Sequence, residues 1–180
     1  FDAITAFTRS PTSGSGIAAS GGLAVWNGNT DGQALARHTT VATSNDQYAA
    51  LLIDTVNVNN RPVGLILQCV ASPGSYYGLS IDSSSVTLIR ATGRWRQTID
   101  VTYTTVSVTV NEGASVEFWN KGTLFYAAVD GVTVIDAYDI PGAVISTSTR
   151  NIGFGMMRQS FWSSLFIREW VGGDATMFGK

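Results

Sequence analysis

His38 and Cys69 are each the only residue of their kind, and the glutamates are Glu112, Glu117 and Glu169. A nucleophile–histidine–acid triad needs an imidazole beside both partners, and nothing in the sequence places them together. One histidine and one cysteine cannot build a nitrogen–sulfur zinc or copper site within one chain. No G-K-[ST] follows the glycine-containing stretch GLAVWNGNTDGQ, so no phosphate loop is present. Oxygen ligands for calcium are available at Asp2, Asp31, Asp46 and Asp130, but such a site needs several of them to converge, which the sequence does not show. Cys69 has no partner for a disulfide and reads as a small buried hydrophobe sharing a strand face with Val63, Leu65 and Leu67.

Aromatic residues are the richer population: five Trp, six Tyr and eight Phe. Trp119 alternates with Val116 and Phe118, which makes it a candidate exposed ring. Trp95 lies between Arg94 and Arg96 at a turn exit. Tyr76 and Tyr77 follow Pro73-Gly74 and must point to opposite faces of an extended chain. Exposed rings stack on the apolar face of a sugar, and neighbouring arginines bond its hydroxyls. Trp119, Trp95, Arg94, Arg96, Tyr76 and Tyr77 are therefore the candidate residues for a glycan or a partner chain. Trp and Tyr also plug sandwich ends and interfaces, and that reading is the weightier one.

The elements that would position these residues are strands. Three glutamates and two lysines leave few exposed helix formers, whereas there are 20 Thr, 18 Ser and 19 Gly. Thirteen alternating segments follow one another with turn signals between them. They run from ITAFT through GLAVWN, QYAALLIDTVNV, PVGLILQCVA and SVTLIRA to RNIGFGM and WSSLFIREW. Turns fall at Gly14, at Asn59-Asn60 and at Pro73-Gly74, and Asp130-Gly131 is the strongest hairpin signal. One-sided strands pack as two sheets. VTVID is expected to turn Val132 and Val134 one way and Thr133 and Ile135 the other. QYAALLID and PVGLILQCVA are apolar on both faces and belong at sheet centres. The length suits one domain over residues 1–180. The opening FDAITAFTRSPTSGSG has no leader pattern, as in a processed chain or a piece of a longer one.

Net charge is −2 and charged residues are 13%, which gives no reason to expect nucleic acid. The longest apolar runs, YAALLI and VGLIL, fall far short of the roughly 20 residues of a membrane helix.

The stretch ASVEFWNKGTLFYAAVDGVTV, from Ala114 to Val134, resembles the back half of a concanavalin A-like or laminin-G-like jelly roll. RNIGFGM and WSSLFIREWV resemble its closing pair of strands. The upstream succession, from GLAVWN to SVTLIRATG, is similar to versions of this domain in minor tail proteins of phages that infect actinobacteria. The resemblance implies an all-β fold, a two-sheet antiparallel jelly-roll sandwich. It also implies a non-enzymatic virion protein, extracellular on the tail, forming a homo-oligomer with other virion proteins as partners and contacting host-surface glycan. The alternative is a secreted carbohydrate-binding module of a wall-degrading enzyme. Glucanases of this fold carry E-x-D-x-x-E, a motif that none of the three glutamates begins. Calcium-holding members use an Asp before the last core strand, where this chain has Ser163 or Ser164. No cofactor is expected, and calcium stays open.

Overall fold

The computed structural model describes residues 6–10, 15–56, 61–70 and 74–180. The start of ITAFT, the turns at Gly14, Asn59 and Asn60, Pro73, and the candidate ligand Asp2 lie outside the described residues.

Fifteen strands are described: β1 (Phe7–Ser10), β2 (Gly16–Ser20), β3 (Leu23–Asn27), β4 (Gly32–His38), β5 (Gln47–Ile53), β6 (Val63–Cys69), β7 (Ser75–Ile81), β8 (Ser85–Thr92), β9 (Thr98–Ser107), β10 (Ser115–Lys121), β11 (Leu124–Val129), β12 (Val132–Asp139), β13 (Asn151–Gln159), β14 (Trp162–Ser163) and β15 (Ile167–Asp174). Each segment read from the sequence overlaps one of them. The two extra strands are β2 and a split of WSSLFIREW into β14 and the start of β15. The first sheet runs β1-β4-β13-β6-β7-β8-β9, with β14 attached to β13. The second runs β12-β11-β10-β5-β15-β3-β2. Every strand pair within the sheets is antiparallel. The fold is an all-β two-sheet jelly-roll sandwich.

Strand alternation builds the core between the sheets. Val63, Leu65 and Leu67 of β6 and Phe154 and Met156 of β13 face Ala49, Leu51 and Ile53 of β5 and Val116 and Phe118 of β10. β5 and β6 occupy the middle of their sheets, as strands apolar on both faces must. Each buries its other face as well. On the second sheet, Tyr48 and Ala50 lie under the C-terminal turn Ala175–Phe178, with Phe178 stacked 4.3 Å from Tyr48.

Two face assignments are corrected by bulges. Gln68 has φ 52 and is the extra residue in the β6–β13 pairing, so Cys69 swings to the outer cluster with Ile66 and Tyr76 instead of sharing a face with Leu67. Cys69 is buried there, and burial pushes its thiol up to about 12. On β12, Ala127 pairs with Ile135 and Ala128 with Thr133, which leaves Val134 as the extra residue. Ile135 lies in the core and Val132 is 67% exposed, on opposite faces as expected, but Val134 packs against the core with Ile135 instead of facing outward with Val132.

Gln68 also begins a buried polar bridge between the sheets. Its backbone N–H donates to the Gln47 side-chain carbonyl at 2.7 Å, Gln47 N–H donates to Asn120 Oδ1 at 3.1 Å, and Thr149 Oγ1 donates to Gln68 Oε1 at 2.8 Å. Buried amides so paired fix the register of the strands that carry them.

Candidate functional site

On the outer face of the first sheet the strands leave a floor without side chains. Gly64 and Gly155 pair directly across β6 and β13, and Gly78 lies on β7 beside them. The indole of Trp95 rests on this floor. A Cβ at Gly64 would come 1.9 Å from it, at Gly155 2.4 Å and at Gly78 3.0 Å. Its Nε1 donates to Pro62 O at 3.2 Å. Trp95 is 0% exposed, so the expected exposed ring is corrected: three missing side chains make room for it. Tyr76 is buried beside it, with ring centroids 6.1 Å apart. Its hydroxyl donates to Arg94 O at 3.0 Å and accepts from Arg96 N at 2.8 Å. Neither ring offers a face to a ligand. Together they pin the 93–97 loop and hold Arg96 at φ 52.

Tyr77 points the other way, as expected for the second of two adjacent residues. It enters the inter-sheet core 4.8 Å from Phe125 and accepts from Val144 N at 3.1 Å. Trp119 does lie opposite Phe118, but it is only 8% exposed. It stacks on Tyr126 at 5.2 Å and is capped by Lys180 Nζ 4.4 Å from the ring. Lys180 in turn pairs with Glu117 at 2.7 Å. This corrects the exposed-ring expectation too, because the C-terminal turn covers the outer face of the second sheet. Trp119 is therefore separated by the whole sandwich from the Tyr76, Arg94, Trp95 and Arg96 group.

Arg96 reaches into an open cleft of about 420 Å³ that Arg61, Asp82, Ser83, Ser84 and Gln159 also line. Arg96 Nη1 donates to Ser80 Oγ at 2.7 Å, and Arg61 Nε donates to Gln159 O at 3.0 Å. Burial lowers the Arg96 pKa despite the opposing pull of Asp82. Asp82 accepts from Ser84 N, Ser84 Oγ and Ser85 Oγ at 2.8–3.0 Å, which fixes that wall. Arg94 is exposed at the loop's surface.

Gln159 begins a feature that residue types alone did not reveal. The β13–β14 hairpin pairs Gln159 with Trp162 and turns on Ser160 (φ 54) and Phe161 (φ 74). Both central residues are left-handed, the geometry usually supplied by Asn-Gly or Asp-Gly. Phe161 is 87% exposed and Trp162 42%, the exposed aromatic rings among the described residues. Asp31 holds the turn, with Oδ2 accepting from Ser160 N at 2.8 Å and Oδ1 from Arg158 Nη1 at 3.0 Å. Arg158 also donates to Asn29 O, and its guanidinium carbon lies 5.8 Å from the Phe161 ring. A bulky exposed ring is thus held in a sparsely populated conformation by partners on another loop.

The calcium candidates among the described residues, Asp31, Asp46 and Asp130, do not meet. Asp46 Oδ1 accepts from Gly122 N, Asp130 Oδ1 accepts from Ser115 N, and Asp31 serves the hairpin. Among the described residues no three His, Cys, Asp or Glu side chains gather where they could hold a metal. Ser164 is buried, with its hydroxyl accepting from Met157 N at 2.7 Å and donating to Pro62 O at 2.8 Å. His38 stacks on Trp170 at 5.5 Å beside a smaller groove of about 240 Å³.

No family model matches the sequence, and no curated protein matches it. The fold, in contrast, has solved counterparts. A carbohydrate-binding module from Bacillus subtilis superposes with a TM-score of 0.59 at 13% identity, over 94% of this chain and 93% of that one. The carbohydrate recognition domain of Emp46p gives 0.64 at 10% identity, over 95% and 89%. The exoplasmic/lumenal domain of VIP36, in a form bound to calcium and a mannose disaccharide, gives 0.59 at 7% identity, over 93% and 80%. The chain thus shares the fold of lectin-like, carbohydrate-binding domains.

Proposed function

We propose that this chain is a non-enzymatic carbohydrate-contacting domain, using the Phe161/Trp162 hairpin and the adjoining cleft of Arg61, Arg96 and Gln159. The observation that carries this is the pair of exposed rings on a braced turn beside a polar cleft. Rings supply a stacking surface, and guanidinium and amide groups supply hydroxyl partners. The fold shared with named carbohydrate-binding domains supports the same reading. The test is calorimetry of the chain against a panel of bacterial-wall oligosaccharides. Phe161→Ala and Trp162→Ala should each weaken binding about tenfold, the loss of a contact worth about 1.4 kcal/mol, with the melting temperature unchanged. Binding that survives both changes would move the site elsewhere.

The finer reading is a minor tail protein on a phage virion, extracellular, folded as one domain over 1–180 and assembled with copies of itself and other virion proteins. The sequence resemblance supports it. So does the ten-residue edge strand β9 with Ile99 and Val101 exposed, a surface suited to another chain. Immunogold labelling of virions and light scattering of the isolated chain test it. A monomer absent from virions would favour the secreted carbohydrate-binding module, the reading to which the Bacillus subtilis likeness lends weight.

A further inference from the structure

We infer that the cleft selects acidic saccharides, with Arg61 and Arg96 gripping an anionic group on a sugar whose ring rests against the Phe161/Trp162 hairpin. This rests on the carbohydrate reading above. The four ion pairs of the described residues are Arg90–Asp100, Arg158–Asp31, Arg168–Asp54 and Lys180–Glu117. Neither arginine of the cleft belongs to them. Arg61 engages only Nε, leaving both terminal nitrogens without a protein partner among the described residues. Arg96 engages one terminal nitrogen on the neutral hydroxyl of Ser80. The acid that shares the cleft, Asp82, already accepts three hydrogen bonds from Ser84 and Ser85.

Two cations with unfilled donors therefore face one cavity, and both are half-buried. A guanidinium fork matches two oxygens of a carboxylate or phosphate, and such charge-assisted pairs are about twice as strong as neutral ones. Neutral hydroxyls fill fewer of these donors and leave Asp82 as the single negative charge beside two cations. The backbone supports the same function. Arg96 is held at φ 52 by the Tyr76 hydroxyl, which aims a long side chain that would otherwise sweep through solvent.

The test uses matched pairs on the whole chain: trigalacturonate against its methyl ester, and glucose 6-phosphate against glucose. The charged member of at least one pair should bind about tenfold tighter at low salt, an advantage that shrinks as salt rises. Arg61→Gln and Arg96→Gln should erase the difference while melting like the wild type, and Arg61→Lys should restore part of it. Preference within the first pair assigns carboxylate as the recognised group, and within the second, phosphate. Equal affinity for charged and neutral members, with both lost in Phe161→Ala, overturns the acid selection and leaves the carbohydrate site standing. A charge preference untouched by both Gln variants also overturns it. No binding of any saccharide removes the carbohydrate reading and this inference together.

Discussion

The β11–β12 and β13–β14 hairpins turn on two left-handed residues each, but their sequences could hardly differ more. The first uses Asp130 (φ 51) and Gly131 (φ 76), and the second Ser160 (φ 54) and Phe161 (φ 74). At the first, glycine accepts the conformation freely and nothing within 4 Å would meet an added Cβ. At the second, a phenylalanine sits where L-residues lose about 1–2 kcal/mol. Each turn leans on an aspartate. Asp130 bonds a neighbouring strand from inside its own turn, whereas Asp31 comes from a distant loop to grip Ser160 and Arg158. A turn that only reverses the chain uses residues suited to its backbone. A turn that presents a ring to solvent accepts strain and needs outside support.

The comparison breaks most readily at Gly131. Gly131→Val should destabilise by about 1–3 kcal/mol through backbone strain alone, since there is space for the side chain. For a chain of this size that is a fall of about 2–4 °C in melting temperature per kcal/mol. Saccharide binding should be unchanged. A melting curve that matched the wild type would show that the turn tolerates branched residues.

Asp31→Ala comes next. It removes the acceptor for Ser160 N and one partner of Arg158, so about 1 kcal/mol should be lost, little of it from the half-exposed ion pair. Binding should weaken more than stability, because the turn that presents Phe161 loses its brace. The corresponding change at the other hairpin, Asp130→Ala, should lower stability without touching binding. If the two alanine variants behave alike in both assays, the division of roles between the turns fails.

The two turns also mark how far the sequence could be read. Asp130-Gly131 announces itself, as do the strands that alternate and the two that are apolar throughout. Ser160-Phe161 carries no local signal, because its conformation is imposed by Asp31, 129 residues away from Ser160 in sequence. Trp95 is hidden for a similar reason. Gly64, Gly78 and Gly155 form a floor only once β6, β7 and β13 have paired, and the indole then has somewhere to lie. Trp119 is covered by a lysine 61 positions later in sequence. Alternation correctly assigned its face but said nothing of what lies over that face. The bulges at Gln68 and Val134 shift alternation by one residue where no glycine or proline warns of it. Of the six residues first nominated, Arg96 lines the cleft, while the aromatic contacts belong to a segment whose type and spacing looked ordinary.

Phe161→Gly tests strain directly and should have a smaller, opposite effect. Glycine removes the left-handed penalty but adds about 0.5–1 kcal/mol of freedom to the unfolded chain, so stability should hold or rise by up to about 1 kcal/mol. Saccharide binding should fall about tenfold as the ring is lost. Chemical denaturation and calorimetry on the same preparation separate the two. A variant that is less stable yet still binds would mean that the ring packs on the protein instead of serving a ligand.

The smallest expected effect is that of calcium, and it follows from the same two aspartates. Asp31 and Asp130 are among the oxygen donors that sequence offers to a cation, yet each carboxylate completes a hairpin. Asp46 is likewise engaged, by Gly122 N at 2.8 Å. To bind calcium, these groups would have to abandon backbone N–H and guanidinium partners, and they hang from different loops. A site filled at 100 times its dissociation constant would add about 2.7 kcal/mol, a shift of several degrees. Millimolar calcium and excess chelator should instead give the same melting temperature within about one degree, well below what such a site would add. The calcium-bound form of the VIP36 domain makes this a fair challenge, since a domain that shares the fold is seen with the cation. A rise of several degrees with calcium, lost in Asp31→Ala but kept in Asp130→Ala, would turn the brace of the β13–β14 hairpin into a metal ligand. The strained turn would then be ion-dependent, and the difference between the two hairpins would lie in what each aspartate binds.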